Sequence, residues 1–108
     1  MQATHVQPGV TIDFKNTTDS TIHFGDLVVM ESKVAVAAGD ILPGATGSVM
    51  LEEVFRVEKD DSVIAQGAKV YYDKTAQKAT TKTEGTIEMG YATKGAVAAD
   101  KNVEVKLR

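Results

Sequence analysis

The stretch Gln66-Gly67-Ala68-Lys69-Val70-Tyr71-Tyr72-Asp73 constrains the fold more than any other. A glycine opens it, apolar and polar side chains then alternate, and an aspartate closes it. A period of two puts Val70 and Tyr72 on one face and Lys69 and Tyr71 on the other. That is the pattern of a strand leaving a tight turn with one face buried. An earlier stretch, Gly25-Asp26-Leu27-Val28-Val29-Met30, has the same form. Each is followed by a second alternating run, so the chain reads as two related hairpins around one core.

The remaining segments alternate in the same way. Val10, Ile12 and Phe14 form one face of a strand whose other face is Thr11, Asp13 and Lys15, and Asn16 to Ser20 is a turn. Leu27 to Met30 and Val34 to Ala37 make a hairpin around Glu31-Ser32-Lys33. Gly47 to Glu58 is the longest candidate strand, with Val49, Leu51, Phe55 and Val57 on one face. Glu53 interrupts that face, which predicts a bulge or kink that turns its carboxylate outward. Asp60-Asp61-Ser62 is placed to cap one helical turn over Val63 to Gln66, ended by Gly67. Ala76 to Lys82 reads as a solvated strand or hairpin arm. Ile87, Met89 and Tyr91 alternate, and Val103-Glu104-Val105-Lys106-Leu107-Arg108 alternates to the last residue, as a strand paired inside a sheet does. Roughly eight short strands with turn signals between them predict an all-β fold, a small β-barrel or sandwich with at most one helical turn.

At 108 residues the chain has the length of one domain. Met1 to Gly9 is polar and ends in Pro8-Gly9, and proline cannot donate a hydrogen bond inside a sheet. The expected organisation is therefore an extended arm over residues 1–9 ahead of a single β domain over 10–108. The absence of cysteine excludes a disulfide framework and thiolate metal sites, and fits a reducing compartment. A net charge of −3 with no basic stripe argues against a nucleic-acid partner. No apolar run approaches the ~18 residues of a membrane span, and Met1-Gln2-Ala3-Thr4 reads as a cytoplasmic start without a signal peptide.

Reactive groups are hard to assemble from this sequence. His5 and His23 are the two histidines, and without cysteine they do not make a zinc site of the usual kind, so both read as surface or edge residues. Glu52 and Glu53, as strand neighbours, point to opposite faces and do not pair as acid and base. Gly39-Asp40-Ile41-Leu42-Pro43-Gly44-Ala45-Thr46 has the glycine spacing of a phosphate loop, but Ala45 stands where the lysine belongs and no helix pattern follows. No cofactor is implied. Tyr72 and Tyr91 fall on apolar faces and read as core, whereas Tyr71 is the exposed candidate for a protein interface. The residues alone leave a generic β binding module and a structural protein both open.

An ordered set of short motifs narrows this. Gln7-Pro8-Gly9, then Gly25-Asp26-Leu27-Val28-Val29, Val54-Phe55, Gln66-Gly67-Ala68-Lys69-Val70-Tyr71-Tyr72-Asp73, Met89-Gly90-Tyr91-Ala92 and the closing Val103 to Leu107 run through nearly the whole chain. In that order they resemble the phage capsid cement, or head decoration, proteins. The chain departs from the family pattern at Ala68 for an aspartate, Tyr72 for a tryptophan and Glu53 for a glycine. Many members of that family carry the label RecA/RadA-family phage recombinase, a nucleotide-dependent role that the missing phosphate-loop lysine opposes. The resemblance implies a non-enzymatic virion protein, expected as a homotrimer. It would be made in the host cytoplasm and seated on the outer capsid surface. There it would bind the major capsid protein of the expanded head and bridge capsomers. It points to Thr4, His5, Val6, Gln7 and Pro8 as an arm that pairs with a capsid strand, with Pro8 ending the pairing.

Overall fold

The computed structural model describes residues 1–3 and 11–107. Among them are nine strands and no helix: β1 (Thr11–Lys15), β2 (Leu27–Val29), β3 (Val34–Ala37), β4 (Thr46–Met50), β5 (Val54–Glu58), β6 (Lys69–Asp73), β7 (Lys78–Thr80), β8 (Ile87–Ala92) and β9 (Asn102–Leu107). They form two antiparallel sheets, in the orders β1-β4-β3-β2 and β5-β9-β8-β6-β7. The protein is all-β and takes the sandwich side of the expected alternatives. A lone parallel bridge between Lys59 and Ala79 draws the two edges of the second sheet together without closing it into a barrel.

The helical turn expected at Val63 to Gln66 does not form. The Asp60 carboxylate accepts the Ser62 N–H at 2.9 Å, a local turn rather than a helix cap. Ile64 instead exchanges two backbone hydrogen bonds with Ala96, each 2.8 Å, so cross-strand pairing takes the groups a helix would have used. The candidate strand over Gly47 to Glu58 is broken where Glu53 predicts it. Residues 51–53 carry the chain from β4 in one sheet to β5 in the other, and Glu53 is exposed at φ 106°.

The two sheets repeat one design. In each, the first strand pairs with the last, the last with the one before it, and that one with the second: β1-β4-β3-β2 beside β5-β9-β8-β6, with β7 an added edge. The connections repeat as well. Ile22 and Ile41 exchange hydrogen bonds of 2.9 and 2.7 Å, as Ile64 and Ala96 do. Gly25 donates to the Ala37 carbonyl and Ala37 to that of Asp26; Gly67 donates to Ala92 and Ala92 to Ala68 in the same way. Four tight turns, at His23–Asp26, Leu42–Ala45, Ala65–Ala68 and Val97–Asp100, each close with the fourth N–H on the first carbonyl, at 3.0, 2.9, 3.1 and 3.0 Å. Gly25, Gly44 and Gly67 hold the third position of three of them at φ 86°, 79° and 84°, a region L side chains avoid. The related hairpins legible in the sequence are the equivalent parts of these two halves.

Packing joins the halves. Val34 and Val36 of β3 belong to the same buried cluster as Val70, Met89, Val103, Val105 and Leu107 of the second sheet, with Leu27, Val29 and Met50 packed against it. The opposite face of the first sheet holds a smaller cluster of Val28, Ala35, Ala37, Ile41 and Val49. β3 is therefore buried on both faces, which is why all four of its residues are small or β-branched and apolar. Each fully buried Val, Leu, Ile or Met in these clusters contributes ~1.5–3 kcal/mol relative to exposure. Two glycines allow the closest approaches. A Cβ at Gly47 would lie 2.6 Å from Ile41 Cγ1, and one at Gly90 would strike the Lys106 carbonyl oxygen in the neighbouring strand.

Candidate functional site

The arm residues Thr4, His5, Val6, Gln7 and Pro8 lie outside the described residues, as does Val10. Tyr71 lies on β6, half-buried, opposite Thr80 on one side and Glu88 on the other. A bulge between Val70 and Tyr71 shifts the register there. Residues directly opposite in an antiparallel pair share a face, so Tyr71 stands on the charged side of the second sheet. On that side the Lys69 amine is 3.8 Å from the Glu88 carboxylate, and Arg56 and Lys94 each approach Glu104 at 3.7 Å. These are surface pairs, each worth ~0–1 kcal/mol, so they hold a polar face rather than the fold.

The other tyrosines separate. Tyr72 is buried in the core as expected, and burial, with the neighbouring Asp73 charge, raises its pKa. Tyr91 is half-buried and sits opposite Lys69 and Lys106, on the charged face and not in the core. The reason is the irregular register at the bulge: Gly90 and Ala92 take the buried positions opposite Leu107 and Val105, and Tyr91 turns outward.

Clefts in the surface offer little chemistry. A depression of about 650 Å³ is lined by charged groups that include Glu58, Lys59, Asp61, Lys78 and Asp100. Its buried cation is already engaged. The Lys59 amine donates to the backbone carbonyls of Asp60, Val97 and Asp100 at 2.8, 2.9 and 3.2 Å, which leaves no ammonium hydrogen for a phosphate. The stretch from Gly39 to Thr46 forms the Leu42–Ala45 turn and the start of β4, not a loop leading into a helix. His23 lies in a turn, with Nδ1 3.7 Å from Asp26, and both side chains are exposed. Among the described residues, no three His, Cys, Asp or Glu side chains converge as metal ligands would.

What sequence reasoning missed is the ends of the two halves. Leu42 and Val97 stand in solvent as the first residues of corresponding turns, Phe24 in the His23–Asp26 turn, and Val63 just before the bridged Ile64. The signal lay in the glycine at the third position of three of the four turns; in the turn that Val97 opens, Ala99 stands there and gives no such mark.

No curated protein and no solved structure matches this chain. The family comparison does. A family model described as phage cement protein matches residues 6–107, nearly the whole chain, and the chain belongs to that family.

Proposed function

We propose that this protein is a head decoration protein that binds the outside of the expanded phage shell and holds neighbouring capsomers together. The observation that carries the reading is the family match across residues 6–107. Membership implies a capsid location and a structural rather than an enzymatic role. The described residues suit such a role: a two-sheet body with its buried polar groups satisfied, and a net charge of −3 that keeps the surface soluble.

In this reading residues 10–108 are one β domain and residues 1–9 an arm. Thr4 to Pro8 adds to the edge of a capsid strand, where main-chain hydrogen bonds supply affinity, and Pro8 stops the pairing. Tyr71 contributes to a protein interface from the outer face of β6. The protein is made in the host cytoplasm and acts as a homotrimer on the major capsid protein. Three arms engaging together gain ~10²–10⁴ in avidity over one. Deletion of Met1 to Pro8 tests the arm. The truncated protein is expected to keep its melting temperature and to lose its coating of expanded heads; full-strength coating by the truncated form rejects the arm's role.

A further inference from the structure

The hydrogen bonds of β2 show which of its main-chain groups point away from its sheet. Ala37 donates to the Asp26 carbonyl and Met30 to that of Lys33. With Leu27 opposite Val36 and Val29 opposite Val34, these bonds make both pairs the non-hydrogen-bonded kind. The N–H and C=O groups of Leu27 and Val29 therefore point to the outer edge of the first sheet, and among the described residues none of them has a partner. The second half differs at this place. Lys69 faces Tyr91 and Val70 faces Gly90 as Leu27 faces Val36 and Val28 faces Ala35, so Tyr71 is the counterpart of Val29. Tyr71 has Thr80 of β7 opposite it. β2 has no such neighbour, because Met30 to Lys33 alone join it to β3 where the second half inserts β7. No lysine, proline or bulge blunts the edge at Leu27-Val28-Val29. A depression of about 590 Å³ opens beside Leu27, with Arg56 and Tyr72 across it.

The N-terminal segment suits that edge. Met1 to Val10 has no carboxylate and carries the amino terminus, whereas Asp26 and Glu31 flank β2. Gln2-Ala3-Thr4 matches Lys78-Ala79-Thr80 of β7 at its alanine and threonine. Carried over from β7, the match sets Thr4 opposite Val29 and, in an antiparallel pair, Val6 opposite Leu27. Pro8, two residues on, ends the ladder because it has no N–H to donate. Met1 to Ala3 stand exposed in their own chain. A chain cannot seat its own arm there. β1 and β2 are opposite edges of the first sheet, so a strand outside β2 lies four strand spacings, ~19 Å, from β1. The residue steps from Val6 to Thr11 reach ~18 Å at full extension, and the sheet stands in the path.

We infer that Thr4 to Val6 of one copy adds as an antiparallel strand to β2 of the next, so that copies of this chain are tied head to tail by exchanged arms. The inference rests on the homotrimer of the cement reading and supplies its contact. Each copy gives one arm and receives one, a heterologous contact that closes into a ring at three. Main-chain groups that β2 leaves open give the affinity, as in any strand added to a sheet edge. The far edge of the added strand stays open to a capsid strand.

The test uses the full chain, whose lack of cysteine makes introduced thiols specific. Thr4→Cys and Val29→Cys are combined, because the Cα atoms of a hydrogen-bonded antiparallel pair lie ~5.5 Å apart, within reach of a disulfide. After oxidation the double variant is expected to run on a non-reducing denaturing gel as linked chains up to three, and each single variant as no more than two. Val6→Cys with Leu27→Cys carries the same test if the first pair lowers the melting temperature. Val6→Pro removes one donor of the arm and is expected to weaken association ~10-fold or more, read from solution mass over a concentration series. A double variant that stays single, or that closes its bond within one chain, overturns the inference. So does loss of head binding by Val6→Pro at unchanged solution mass, which would give the arm to the shell alone. Those results leave the cement reading intact as long as the unaltered protein binds expanded heads. Linked copies that do not bind heads overturn the shell contact of the cement reading and leave the arm exchange standing.

Discussion

Asn16 and Lys59 are counterparts: each follows the first strand of its half, each is buried, at 0% and 4% exposure, and each uses its side-chain nitrogen to tie down the turn at the end of its sheet. Asn16 Nδ2 donates to the carbonyls of Ile41 and Ser20, at 2.9 and 2.8 Å. Lys59 Nζ donates to those of Val97, Asp100 and Asp60. The carbonyls of Ile41 and Val97 lie at corresponding ends, so one structural task is met by an amide in one half and an ammonium in the other.

Removing either plug takes away hydrogen bonds worth ~0.5–1.5 kcal/mol each, although the carbonyls of Ile41, Ser20 and Val97 keep a second donor in Ile22, Thr18 and Asp100. Lys59→Met keeps the stem and removes the donor. It is expected to destabilise the protein by ~2–4 kcal/mol, and Asn16→Ala by ~1–3 kcal/mol. Chemical denaturation checks both. A Lys59→Met protein as stable as the parent would show that water replaces the ammonium.

Gly90 is the tightest point between β8 and β9, because a Cβ there meets backbone rather than a flexible side chain. Gly90→Ala is expected to cost ~3 kcal/mol or more, or to prevent folding, since the strands must separate. Gly39→Ala is the control: a Cβ there meets nothing within 4 Å and the backbone is not left-handed, so stability should change by no more than ~0.5 kcal/mol. Thermal melts of the two variants give the comparison.

Glu53 holds a left-handed backbone at the crossover between the sheets, φ 106°, with its side chain exposed. Glycine adopts that conformation without strain, and strain of this kind costs ~1–3 kcal/mol. Glu53→Gly is expected to stabilise the protein by up to ~1 kcal/mol, the greater freedom of glycine in the unfolded chain offsetting part of the gain. A lower denaturation midpoint for this variant would mean that the Glu53 side chain supports the crossover.

Asp60 and Tyr72 shift in opposite directions. For Asp60, burial alone raises the pKa, but hydrogen bonds with Thr80 and Ser62 and the Lys82 charge outweigh it, and the net shift is downward from 3.8. A depressed carboxyl contributes stability that is present above pH 3.8 and lost as pH falls through its lower folded value. Tyr72 moves the other way, upward from 10.0, because burial and then the Asp73 charge disfavour the phenolate. A raised group contributes stability that is present below pH 10.0 and lost as pH rises through its higher folded value. Asp60→Asn should flatten the acid limb of a stability–pH curve and Tyr72→Phe the alkaline limb; a limb left unchanged would remove that group from the account.

The alternation of apolar residues made the β strands legible, from Val34–Ala37 to the central closing strand with Val103, Val105 and Leu107 inward. Glu53 marked the break because a carboxylate on an apolar face must leave it. Val63 to Gln66 misled because capping chemistry is local, while the pairing of Ile64 with Ala96 spans 32 residues that no local pattern reports. Tyr91 misled because the extra residue that β8 carries at Met89, opposite Val70 and Tyr71 of β6, resets which residues of β8 face the core.

The central claim is that this chain acts by holding a shell together. The direct measurement is the resistance of expanded, undecorated heads to heat or loss of divalent ions, with and without the purified protein. The account predicts that the protein sediments with the heads at a saturable stoichiometry and raises the temperature at which they rupture. Heads that neither bind the protein nor gain resistance from it would contradict the account.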